Sequence, residues 1–362
     1  MLEFGDSCTK GPRAGEMRKS RLFRFFRPGA IPLDAGSQSL FAPIAPFRIA
    51  PRYVPRVWGV TNLEPWFPLH SENEPIGEVW LTGDACMIST GPHAGKQLGD
   101  LFREEPEAML GGMKDAGSPL LIKIIFAKEK LSVQVHPDDA LARRYGFDRG
   151  KTECWYALDA RPGAQVAVGL RPGTSMEQVR AAVQDGTMET YLKVISIGAG
   201  EMVYVDAGTV HAIWPGSILL ETQQNCDLTY RLFDYGRPRE LQIEKSLEAM
   251  RLVTRAGKLT PRILADRTVL VEDEYFCVER IPINVSRSSG SLPSQHEPAR
   301  GLAYLFAASG AARLTSLGFE ALDLPERGIV AVPAASPVFS IQDMGGLDLI
   351  RISPRWPENA SH

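Results

Sequence analysis

The sequence predicts a mainly β protein made of two strand-rich units with helical insertions, and three observations carry that prediction. Most apolar runs are short, rich in β-branched residues and bounded by Gly or Pro, as the strands of a barrel or sandwich are. Helical spacing is confined to a few segments that interrupt the strand pattern. At 362 residues the chain is long enough for two compact domains and a sizeable core.

The first 45 residues stand apart. KGPRAGEMRKSRLFRFFR, from Lys10 to Arg27, gathers seven Lys/Arg against the single acid Glu16. It is expected to be a disordered extension, with a transit peptide or a weak anionic-surface anchor as the alternatives. From FRIAPRYVPRVWG onward, Val54, Val57, Trp58 and Val60 are interleaved with Pro and Gly in extended pieces. GKQLGDLFREEPEAMLGG then has helical spacing. LLIKIIFA and KLSVQVH read as strands, PDDALARRYG as the start of a short helix, and CWYALDA and AQVAVGL as strands again. SMEQVRAAVQDGTMETYLK is helical, and its Ser175 with Gln178 resembles a capping box. EMVYVDAG and SILLETQQ are strands, IEKSLEAMRLV is a helix, and a second strand-rich stretch runs from about Tyr275 to Ile352. The expected divisions are the extension at 1–45, a first domain with helical insertions at 46–256, a second at 257–354, and a tail at 355–362.

Composition excludes several function classes. Forty basic against 43 acidic residues leave a net charge of −3, which argues against a nucleic-acid coat. No run approaches the roughly 18 apolar residues of a membrane helix. The five cysteines are widely spaced and form no Cys-x-x-Cys pair, so a disulfide framework and a zinc ribbon are not suggested and a reducing cytoplasm fits best.

Of six histidines, two sit where strand chemistry gives them meaning. In VQVHP the period of two sends Gln134 and His136 to one face and Val133 and Val135 to the other. Glu153 shares a face with Trp155, and a carboxylate buried among aromatic rings needs a cation. Gln134, His136, Glu153 and His211 together offer an amide oxygen, two imidazoles and a carboxylate, as open catalytic zinc sites do. His70, His93, His296 and His362 read as ordinary structural or surface histidines. The segment GEMVYVDAGTVH resembles the second cupin motif, Gly-x5-Pro-x-Gly-x2-His, with Asp206 in place of the Pro. Its Gly200 and Gly208 allow the turn that aims His211 inward.

Taken together, LSVQVHPDD, GKTECWYALD, AGTVHAIWPG and TYRLFDYGR resemble the short bacterial form of type I phosphomannose isomerase in identity and order. The resemblance runs from about Phe47 to Ile352. It implies two cupin jelly-roll barrels, the first binding metal and the second degenerate, because Val338 or Phe339 stands at the ligand position after GIVAVPAASPVF begins. It implies one Zn2+ per chain held by His136, Glu153 and His211, with Gln134 as a further ligand, and Arg231 as a catalytic residue. The implied reaction interconverts mannose 6-phosphate and fructose 6-phosphate by proton transfer between C1 and C2, feeding mannose and GDP-mannose metabolism in the cytoplasm. Longer relatives carry His-Lys-Pro-Glu where this chain has Gly150-Lys151-Thr152-Glu153, so a ring-opening imidazole is missing there.

The residues suggest further roles. Lys151 and Arg231 are candidates for phosphate contact or for stabilising an enediolate. Glu221 and Asp227 are candidate acids or bases, and Ser132, on the face of Gln134 and His136, is placed to meet the phosphate. In Gly77-Glu78-x-Trp80, Trp80 is a candidate pocket wall, as is Trp155, with core packing the alternative for each. The expected partner is a small sugar phosphate, with no nucleic acid and no membrane, and the oligomeric state stays open. A competing reading uses His136, Glu153 and His211 as an iron facial triad for oxygen chemistry, and another is a non-catalytic sugar-phosphate-binding cupin.

Overall fold

The computed structural model describes residues 42–68, 74–113, 117–282 and 301–355. Residues 1–41 of the basic extension, His70, His296, His362 and the tail past Arg355 lie outside the described residues.

Two pairs of sheets enclose two cores. In the first pair a seven-stranded sheet runs in the order Gly257–Leu259, Met202–Val205, Glu153–Ala160, Ser217–Gln224, Leu120–Phe126, Ile76–Trp80, Arg52–Val60. It faces a five-stranded sheet ordered Tyr230–Phe233, Val133–Val135, His211–Ile213, Gln165–Leu170, Leu192–Ser196. Ile125, Trp155, Ala157 and Leu219 of the larger sheet pack with Val166, Val168 and Ile213 of the smaller one. The second pair sets another seven-stranded sheet against three short strands, closed by Leu305, Ala307, Val330 and Leu349 on Leu314, Leu324 and Ile341. The fold is therefore mainly β and cupin-like, with separate sheets rather than one continuous ladder.

The seven residues of Leu120–Phe126 are all buried, as a strand covered on both faces must be. Ile122, Ile124 and Phe126 enter the core shared with Phe276, Val278, Tyr304, Phe306 and Ile350 of the second large sheet. Ile125 enters the inner core of the first pair. Two strands tie the regions together: Phe47–Arg48 pairs with Val330 and Ala331, and Gly257–Leu259 pairs with Met202–Val205.

The helical segments cover the outside. The stretch read as one helix forms two, Leu98–Glu104 and Pro106–Leu110, because Pro106 has no N–H and disfavours helical geometry at Glu105. Helix Met176–Gln184 starts with the expected capping box, Ser175 and Gln178 satisfying each other's backbone amides. Gly186, at φ 70°, then stops it before a single turn at Met188–Tyr191. Val179, Ala182 and Leu247 cover the outer face of the five-stranded sheet at Val133, Val135 and Ala212. No helix among the described residues is long and apolar enough to cross a membrane.

Candidate active site

Strand register assembles the site. His211 stands directly opposite Gln134, and Gln134 opposite Arg231, so three neighbouring strands place these residues in one row. On the facing sheet Trp80, Lys123, Glu221 and Trp155 form a second row by the same pairing. His136 lies just past the short strand Val133–Val135, where Pro137 ends the ladder. The turn before His211 is fixed by Gly208, at φ 87°, whose N–H donates to His136 O at 2.8 Å. A Cβ at Gly208 would meet Arg251 Cγ at 2.9 Å. Asp206, where the motif has Pro, braces the same turn by accepting from Thr209 Oγ1 at 2.9 Å.

His136, Glu153 and His211 converge, each about 1% exposed. His211 Nε2 is 3.3 Å from Glu153 Oε1, and His136 Nε2 is 3.5 Å from Glu153 Oε2. Donors around a tetrahedral ion with bonds of about 2.0–2.1 Å stand about 3.3 Å apart, so this spacing fits a metal of zinc's size. The tautomers fit as well. His136 Nδ1 lies 3.0 Å from Leu228 O and His211 Nδ1 lies 2.8 Å from Thr209 O. Carbonyls only accept, so each Nδ1 carries the proton and each Nε2 presents its lone pair to the cluster. Burial, then Lys151, lowers the His211 pKa to about 4 and holds His136 well below its ordinary value, so both rings are neutral. Among the described residues this is the one His/Cys/Asp/Glu group with metal-binding spacing.

Lys151 caps the same donors, with Nζ 2.8 Å from His136 Nε2 and 2.5 Å from Glu153 Oε2. Gln134 is adjacent, but its amide nitrogen faces His211 Nε2 at 3.2 Å while its oxygen accepts from Ser132 Oγ at 3.2 Å. Ligation through the oxygen calls for the amide turned over, which exchanges the two atoms.

A cavity of about 480 Å³ opens beside the cluster and is lined by Ser132, Gln134, Lys151, Glu221, Asp227 and Arg231, all singled out from sequence. Arg231 has no carboxylate partner among the described residues, and its Nε is buried without a hydrogen bond. Burial and the nearby Arg239 lower its pKa, which leaves a guanidinium suited to an arriving anion. Glu221 is buried, accepting from Trp155 Nε1 at 3.0 Å and facing Lys123 Nζ at 3.0 Å. Asp227 is exposed at the cavity wall.

Of the two readings open for Trp80 and Trp155, pocket wall or core packing, neither residue lines the cavity. Trp155 is fully buried against His211 and Glu221, Trp80 donates to Glu78 at 2.7 Å beneath Arg52, and the cavity wall is supplied by Trp58. Sequence reasoning passed over Lys123, Arg56 and Arg239, which also line the cavity. Lys123 had a signal, a lone cation inside the apolar run LLIKIIFA, where a buried charge demands partners. It finds Glu221 and, at 3.6 Å, Glu78. Burial opposes the Glu78 charge, but Lys123 and Arg56 outweigh it and bring its pKa to about 2. Five cations against three carboxylates make the cavity positive.

In the second pair of sheets the corresponding turn follows strand Ile329–Val332. There Val338 is exposed and Phe339 packs on Phe319, so neither position offers a metal donor.

Residues 47–169 match the family model for the phosphomannose isomerase type I catalytic domain. The chain is 34% identical over 309 residues to a mannose-6-phosphate isomerase of Streptococcus mutans, covering 82% of this chain and 94% of that one. It is 33% identical to mannose-6-phosphate isomerase ManA of Bacillus subtilis over 67% of this chain and 81% of the relative. Among solved structures, the Bacillus subtilis mannose 6-phosphate isomerase superposes with a TM-score of 0.75 at 29% identity, covering 86% of this chain and 99% of that one.

Proposed function

The chain belongs to the type I phosphomannose isomerase family, and from that premise we propose that it is a zinc-dependent aldose-ketose isomerase acting on mannose 6-phosphate and fructose 6-phosphate. The observation that carries the reading is the cluster of two neutral imidazoles, His136 and His211, with the Glu153 carboxylate, opening onto a positive cavity. His136, Glu153 and His211 hold the ion, with Gln134 as the adjacent weaker ligand. Zinc, when bound, supplies positive charge that polarises the sugar oxygens at C1 and C2.

The remaining work falls to the protein's own groups. Removing the C2 proton to a general base leaves negative charge on an enediol oxygen until that base returns the proton at C1, and Lys151 Nζ stands beside the ligands to donate to that oxygen. The Arg231 guanidinium holds the phosphate or that oxygen, and Ser132 adds a hydroxyl. Glu221, fixed by Trp155 and Lys123, orients sugar hydroxyls, and Asp227 meets the substrate at the cavity wall. All these residues fall within 46–256, which we assign as the catalytic domain, and 257–354 as its support.

A coupled assay following conversion of mannose 6-phosphate to fructose 6-phosphate tests the reading. Activity should disappear on chelation and return with one equivalent of zinc per chain. Metal-replete protein with no turnover of mannose 6-phosphate would overturn it.

A further inference from the structure

Lys151 owes its place to a segment that no strand holds. The ladder of Glu153–Ala160 begins two residues later, so residues 150–152 must be fixed by other bonds. Lys151 N donates to Pro137 O at 3.1 Å. Asp139 holds one flank directly and orients the residue that holds the other: its Oδ1 accepts from Gly150 N at 2.7 Å and from Gln224 Nε2 at 2.9 Å. Gln224, 4% exposed, passes the constraint on, since its Oε1 accepts from Thr152 N at 2.8 Å and its own N–H donates to Thr152 O at 3.1 Å. Gly150 is thus held by the Asp139 carboxylate directly and Thr152 through Gln224, with Ala207 N also donating to Thr152 Oγ1 at 3.3 Å. The other oxygen of Asp139 accepts from Tyr275 Oη at 3.2 Å, which ties the brace to the chain leading into strand Phe276–Ile281. Contact at this point is close, because a Cβ on Gly150 would fall 2.5 Å from Pro137 O and 2.7 Å from Asp139 N.

We infer that Asp139 is a positioning residue that holds the backbone carrying Lys151 beside the His136 and Glu153 ligands, an inference that rests on the isomerase reading above. Asp139 does not line the cavity and lies outside the ligand cluster, so it acts through Gly150 and Gln224. Glu153 keeps its own ladder partners, Val205 and Gln223, so loss of the brace frees Lys151 and leaves the ligands in place.

The test compares Asp139→Ala and Asp139→Asn in the full-length zinc protein. Asp139→Ala should lower kcat at least tenfold, with KM for mannose 6-phosphate within twofold and one zinc per chain retained. Hydrogen exchange of the peptide spanning 148–152 should quicken at least tenfold, a readout independent of turnover. Asn keeps an oxygen that accepts both N–H groups and should restore kcat and exchange to within threefold of the parent. If the Ala variant does not fold, Asp139→Ser, too short to reach Gly150, takes its place. Unchanged kcat, unchanged exchange, or a loss traced to missing zinc would overturn the inference. An inactive parent protein would instead sink the isomerase reading, and the exchange comparison would still decide whether the brace exists.

Discussion

Replacing Arg231 by Ala should separate binding chemistry from stability. Its guanidinium has no carboxylate partner among the described residues and shares the cavity with Arg239, so truncation removes a cation from a like-charged neighbourhood and breaks no ion pair. The fold should lose no more than about 1 kcal/mol in urea unfolding, the ordinary range for a side chain without a named structural partner. Arg239 is the control, because it holds Asp234, whose side chain is 1% exposed, through two contacts of 2.6 Å. Arg239→Ala leaves that buried carboxylate to Arg237 alone and should cost about 2–4 kcal/mol. For activity the order reverses. A hydrogen bond to a charged group contributes about 1.5–3 kcal/mol, so losing it should lower kcat/KM by about 10- to 150-fold in Arg231→Ala. A rise in KM alone assigns Arg231 to the phosphate, and a fall in kcat alone assigns it to the enediolate. Arg231→Lys should stay impaired, since an ammonium lacks the planar fork of donors. The assay is steady-state turnover of mannose 6-phosphate with zinc content measured on each sample. A kcat/KM within threefold of the parent in zinc-replete Arg231→Ala would refute the assignment and remove Arg231 from the site.

Replacing both His136 and His211 by Ala should abolish stoichiometric zinc, measured by elemental analysis after dialysis, and full retention would contradict the ligand assignment. Lys123→Met should destabilise the fold by about 3–5 kcal/mol in urea unfolding, because it leaves Glu78 and Glu221 buried without the cation between them; a loss under about 1 kcal/mol would show that the pair is not coupled. Glu78 is held at about 2, below its ordinary 4.5, so its ionised form stabilises the protein above pH 4.5 and that contribution, about 3 kcal/mol, is lost as pH falls toward 2. Glu78→Gln should flatten that acid limb of stability against pH, and an unaltered limb would assign it to other carboxylates. Gly208→Ala should cost at least about 1–2 kcal/mol and weaken zinc binding, since it forces a side chain into a left-handed turn against Arg251.

Local backbone geometry was legible from the chain alone. Strand parity in VQVHP puts Gln134 opposite in face to Val133 and Val135, and those two valines are buried in the core behind the sheet. The glycines of GEMVYVDAGTVH sit at positive φ, and the Ser175 capping box is formed, because turn dihedrals and helix ends are set by residues three or four apart. What the chain alone could not supply was partnership across distance. Parity placed Lys123 on one side of its strand but could not say that Glu221 and Glu78, nearly a hundred residues after it and 45 before it, would meet it there. Nor could it say that Trp58, rather than Trp80 or Trp155, would line the cavity, or that Asp139 would reach Gly150 and Tyr275. Those contacts depend on the order and register of strands distant in sequence. That order is chosen by how whole faces bury against one another, a property no short window of residues contains.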